Sequence, residues 1–133
     1  MNERTNWNQA LILDDNPQSL NLLRRVARGA GYLAVTCGSI EEFKNAYVTA
    51  HPTLVVLDLI IGEEDCAALF EFLAKVHCKT PIVLVTGHMA GFLDSMEMLA
   101  RSLGLEVLAK VEKRKTLFKL EDCLIARHIP ELS

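Results

Sequence analysis

LVVLDLIIG, residues 54–62, decides the fold. Its apolar run is rich in β-branched residues, the pattern of a strand covered on both faces. Asp58 is the single charge in it, and it stands where the strand gives way to a loop. Open α/β sheets bind ligands beyond the carboxyl ends of their strands, so a lone acid there reads as a site residue.

Working outward, strand and helix signals alternate. Residues 9–13 form a short apolar strand ending in Asp14-Asp15, and Asn16-Pro17 follows as N-cap and first helical position. That helix stops at Gly29-Ala30-Gly31. A strand over 32–36 precedes a capping box, Ser39-Ile40-Glu41-Glu42, whose helix reaches about Ala50 before Pro52. After the Asp58 strand, Glu63, Glu64 and Asp65 suit the positive end of a helix starting near residue 63, with Leu69, Phe72, Leu73 and Val76 as its buried stripe. Pro81 introduces a strand over 82–85 that ends in Thr86-Gly87-His88. Phe92, Met96, Leu99 and Leu103 mark the next helix, residues 105–109 a fifth strand ending in Lys110, and residues 116–128 a last helix. Five strands, each followed by a helix, imply a parallel sheet covered on both sides by right-handed crossovers.

Residues 1–8 read as a loose polar leader, 9–129 as one domain and 130–133 as a tail. At 133 residues, half of them apolar, the chain is long enough for one core. Cys37, Cys66, Cys78 and Cys123 lie too far apart for a close-spaced disulfide framework or zinc knuckles, and read as free thiols. A net charge of −3 gives no field for nucleic acid, and no apolar run approaches the roughly 20 residues that span a bilayer, so a cytoplasmic protein is expected.

A parallel sheet gathers its strand ends on one edge: Asp14 and Asp15, Asp58, Thr86 and Lys110. Carboxylates within about 4 Å repel by roughly 4 kcal/mol per pair at an effective dielectric near 20, so positive charge must sit among them. Lys110 is expected to supply one charge, and an all-oxygen cluster suits a hard ion such as Mg²⁺. The combination fits phosphoryl transfer to a carboxylate. Asp58 would be the phosphoacceptor and a metal ligand, Asp15 a direct ligand, Asp14 a ligand through water, and Ile60 a ligand through its backbone carbonyl. Thr86 would donate to the phosphoryl group.

The pieces LILDDN (11–16), VVLDL (55–59), IVLVTGH (82–88) and VLAK (107–110) make the chain resemble the receiver (CheY-like) domains of bacterial two-component response regulators. The resemblance implies a flavodoxin-like, doubly wound (βα)5 fold with sheet order 2-1-3-4-5, and Mg²⁺ dependence. It also implies phosphorylation of Asp58 by a sensor histidine kinase or phosphotransfer protein, signalling by a conformational change, and no turnover chemistry beyond self-dephosphorylation. Three departures stand out. Val111 follows Lys110 where the family has proline after a cis peptide, Val107 stands three before it where the family has its aromatic switch residue, and Gly62 replaces a proline after the site. Ile60 and His88 occupy the positions that flank the acyl phosphate.

Two alternatives belong beside this reading. A degenerate receiver would act as an interaction or dimerisation module without being phosphorylated. A haloacid-dehalogenase-like phosphatase would need a second acid two residues after its nucleophile, where this chain has Ile60. Met98 is expected on the open face of the fourth helix, and the last helix carries two apolar stripes. A homodimer through the fourth helix, fifth strand and fifth helix, or a C-terminal output domain in a longer chain, would use those surfaces. Lys113-Arg114-Lys115 reads as a solvated turn.

Overall fold

The computed structural model describes residues 8–62, 64–87 and 90–113. The expected last helix, His88, residues 1–7 of the leader and the tail lie outside the described residues. In chain order the elements are β1 (Gln9–Leu13), α1 (Pro17–Gly29), β2 (Leu33–Cys37), α2 (Ile40–Ala50), β3 (Leu54–Asp58), β4 (Ile60–Ile61), β5 (Glu64–Asp65), α3 (Ala67–Lys75), β6 (Ile82–Thr86), α4 (Ala90–Ser102) and β7 (Val107–Glu112). Five of the strands form one parallel sheet in the order β2-β1-β3-β6-β7. With the two-residue ribbon β4–β5 set aside, this is the expected 2-1-3-4-5 order.

Side chains alternate across a strand, and the core divides accordingly. Leu11, Leu13, Val55, Leu57, Ile82 and Leu84 pack on one face with Phe43 of α2, Leu69, Phe70 and Leu73 of α3, and Leu93, Met96 and Ala100 of α4. Ala10, Ile12, Leu54, Val56, Val83, Val85 and Val111 pack on the other with Leu23 and Ala27 of α1. Every residue of β3 and β6 is buried, as their unbroken apolar runs require.

Caps match the sequence closely. The Asn16 side chain accepts from the Gln18 and Ser19 amides at 2.9 and 3.0 Å, and Ser39 accepts from the Glu42 amide at 3.1 Å. Three features differ. The acids at 64 and 65 do not open a helix: they pair antiparallel with Ile61 and Ile60, so α3 begins at Ala67, and residue 63 lies outside the described residues. Its fully buried residues are Leu69, Phe70 and Leu73, with Phe72 at the margin of the core and Val76 exposed. On α4 the buried face is Leu93, Met96 and Ala100, while Leu99 turns outward and Met98 is 71% exposed, as expected for an open-face methionine. The third difference, in β7, decides the site.

Candidate functional site

Asp14 and Asp58 meet because the register makes them meet. Ile12 is level with Val56, and two residues further on each strand places Asp14 beside Asp58 on the same, α1-facing, side of the sheet. Asp14 is held there by two bonds: its amide donates to the Cys37 carbonyl at 3.0 Å, and its Oδ1 accepts from the Asn16 amide at 2.9 Å. Asp58 Oδ1 accepts from the Ile60 amide at 3.3 Å. Asp15 lies exposed at the rim, its Oδ2 accepting from the Gly62 amide at 2.6 Å.

The positive charge among these acids is Lys113. Its Nζ lies 3.0 Å from Asp58 Oδ2 and 3.1 Å from Asp14 Oδ2. The sequence pointed to Lys110, and the structure places Lys110 elsewhere: its Nζ pairs with Asp94 at 2.8 Å and Glu97 at 2.9 Å, both on α4. Strand geometry gives the reason. β7 shifts register between Ile82 and Val83, so that Ile82 is level with Val107 but Val83 with Ala109. The strand therefore runs on to Glu112, level with Thr86, and Lys110 is level with Leu84, short of the edge. Parity completes the argument. Val111 packs on the α1 side, so Lys113, two residues on, shares the face of Asp58, while Lys110 faces α4. The Lys113 amide donates to the Thr86 carbonyl at 2.9 Å, which fixes the lysine beside that residue.

The two departures assigned to residues around Lys110 move with it. Val107 and Val111 are core side chains of β7. Counted from Lys113, the position three before is Lys110 and the residue after is Arg114, so the aromatic and the proline are still missing, with different residues in their places. The charge run makes Lys113 part of a solvated turn, an expectation that its contacts with Asp14 and Asp58 overturn.

Asp58, Asp14 and Thr86 are the buried polar residues at this edge. Burial pushes the Asp58 carboxyl up to about 6, the Lys113 hydrogen bond pulling it down and the Asp14 charge pushing it further up. Burial works against the Lys113 ammonium, but the Asp58 and Asp14 carboxylates outweigh it and hold its pKa above that of an ordinary lysine. A contact that no sequence signal announced lies behind the site: the buried Cys66 thiol donates to the Asp58 carbonyl at 3.0 Å.

The donor set fits a hard divalent cation. Among the described residues, Asp14, Asp15 and Asp58 bring ligand oxygens within 4.8 Å of one another, where like charges repel by about 3 kcal/mol at a dielectric near 20. Among the described residues one lysine offsets one of the three charges. Among them, too, buried Asp14 Oδ2 finds no hydrogen-bond partner, with Lys113 at ion-pair distance but off the line of one.

Fold and site together define a class, a flavodoxin-like α/β domain with an acidic pocket and a lysine at the carboxyl edge of its sheet. The chain belongs to the response regulator receiver domain family, whose model matches residues 10–120. No curated protein sequence matches it. Among solved structures it is similar to a response regulator from Colwellia psychrerythraea, with 23% identity over 93% of this chain and 98% of that one and a TM-score of 0.82. It is also similar to a CheY-like receiver domain protein from Methanospirillum hungatei JF-1, with 20% identity, 93% and 98% coverage and a TM-score of 0.70. A third is the signal receiver domain of an HD domain-containing protein from Pseudomonas fluorescens Pf-5, with 13% identity, 93% and 95% coverage and a TM-score of 0.75. Among the described residues no helix is long and apolar enough to cross a membrane.

Proposed function

We propose that this domain accepts a phosphoryl group on Asp58 from a sensor histidine kinase or phosphotransfer protein in the cytoplasm. The observation that carries the reading is the contact of a buried strand-end carboxylate with Lys113 beside Thr86. With its pKa near 6, Asp58 is mostly ionised at neutral pH and able to act as nucleophile. One Asp58 oxygen attacks phosphorus, the bond to the donor histidine nitrogen breaks, and the imidazole leaves with that electron pair. Lys113 stands where it can follow the charge onto the phosphoryl oxygens, and Thr86 is the hydroxyl donor for another. Asp15, Asp58, the Ile60 carbonyl and, through water, Asp14 would hold Mg²⁺. The bound ion would add charge neutralisation at the phosphoryl group.

The switch would be electrostatic. Where the family resemblance calls for an aromatic residue, Lys110 ties β7 to Asp94 and Glu97, and Arg101 bonds Glu97 at 2.9 Å and the Val107 carbonyl at 2.9 Å. Met98 lies exposed on the same helix as a contact for a partner or a second copy.

Incubation with Mg²⁺ and acetyl phosphate, followed by intact mass, tests the reading. A single phosphoryl adduct absent from Asp58→Asn is expected. No adduct on the wild type would leave a phosphorylation-independent module, and sustained phosphate release from a generic ester would point to a phosphatase.

A further inference from the structure

We infer that Gly62 is a positioning residue for the divalent site: its backbone N–H tethers the exposed Asp15 carboxylate inward, beside Asp14 and Asp58. The inference rests on the divalent-ion reading above and extends it to a residue without a ligand atom. Asp15 is the exposed member of the acidic group, while Asp14 and Asp58 are buried. Repulsion from two buried acids drives such a side chain toward solvent, where water solvates it better.

The bond that opposes this is short, 2.6 Å from the Gly62 nitrogen to Asp15 Oδ2, and it crosses from the loop after β1 to the turn between β4 and β5. A charged acceptor makes it stronger than a bond between neutral groups. It occupies one oxygen and leaves the other lone pairs of the carboxylate for a cation.

The turn that aims this N–H depends on residue type. Gly62 has φ +64°, the left-handed region that glycine enters freely and asparagine tolerates. Proline is excluded twice, since its φ is locked near −65° and it has no N–H to donate. An added Cβ meets no atom within 4 Å, so a residue that accepts this φ fits without a clash. The glycine at this position thus both shapes the turn and supplies the donor.

The test is Mg²⁺ titration by calorimetry on the wild type, Gly62→Asn and Gly62→Pro. Gly62→Asn keeps donor and turn and should bind as the wild type does. Gly62→Pro should bind at least about tenfold more weakly, the worth of one hydrogen bond to a charged group. Equal binding by Gly62→Pro overturns the inference and leaves the divalent site standing, whereas a wild type that binds no Mg²⁺ overturns both.

A second measurement does not need the proline variant to fold. In metal-free protein the Gly62 amide proton should resonate downfield and move upfield in Asp15→Ala. A resonance unmoved by Asp15→Ala overturns the tether whatever the calorimetry gives.

Discussion

Replacing Lys113 by methionine removes the cation from the site while keeping most of the apolar stem. Its Nζ faces Asp58 at 3.0 Å and Asp14 at 3.1 Å, and its side chain is 27% exposed. Breaking a fully buried pair costs about 3 to 5 kcal/mol, and the partial exposure here brings the expected loss to about 2 kcal/mol. The loss depends on pH in a direction that can be worked out. Asp58 already has a folded pKa near 6, above its unfolded value. Without Lys113 that pKa rises further, by about 1.5 units for a 2 kcal/mol effect. Below pH 5 Asp58 is protonated in both proteins and little is lost through it. The penalty grows through pH 6 to 8 and then levels off.

Thermal melts in chelator should therefore place Lys113→Met about 8 °C below the wild type at pH 8 and clearly less far below it at pH 5, where the contact with Asp14 is what is lost. Lys110→Met, whose partner Asp94 is exposed and whose partner Glu97 keeps its pair with Arg101, should lower both melts much less. A larger loss in Lys110→Met, or a Lys113→Met deficit equal at the two pH values, would refute the assignment of Lys113 to the site.

Further expectations can be checked one by one. Metal-free wild type binds more protons folded than unfolded at Asp58, so the contribution of that carboxyl to stability should fall by about 2 kcal/mol as pH rises from 4 to 7, following its shift to about 6. Denaturant titrations should show Asp58→Asn without that fall. Burial, and then the Glu42 charge, push the Cys37 thiol up to about 11, so iodoacetamide at pH 8 should label it far more slowly in folded than in unfolded protein, as read by peptide mass. Asn16→Ala, which frees two amides at the start of α1, should cost about 1 kcal/mol in urea unfolding. Ile60 puts no polar side chain beside Asp58, so phosphorylated Ile60→Asn should lose its phosphoryl group at a different rate. Equal decay in the two proteins would remove Ile60 from the account.

The parallel sheet was legible because β3 and β6 carry no ambiguity: five buried residues in each left one face to α1 and the other to α2, α3 and α4. Asp14 and Asp58 followed, since a residue at or just past the end of a buried strand can only stand at its edge. The lysine was harder. A strand of 105–109 with Lys110 at its end satisfies the apolar pattern, but it treats the charge as the end of the strand. Val111, an apolar residue set between Lys110 and Glu112, was the signal that the strand runs on, and its burial at 2% shows that it does. The register shift near Leu108 left no comparable mark, because an extra apolar residue in an apolar strand looks like any other. Acids in a row suit a helix dipole, whereas at 64 and 65 the chain instead pairs as a ribbon after the turn at Gly62.

Lys110 on β7 and Lys113 just past its end are three residues apart and face opposite sides of the sheet. Linkage then makes the traffic between those sides two-way. If phosphate on Asp58 changes the affinity of α4 for a partner by some factor, that partner changes the equilibrium for holding phosphate on Asp58 by the same factor. A partner that prefers the phosphorylated form would thus raise the share of the domain that carries phosphate at equilibrium.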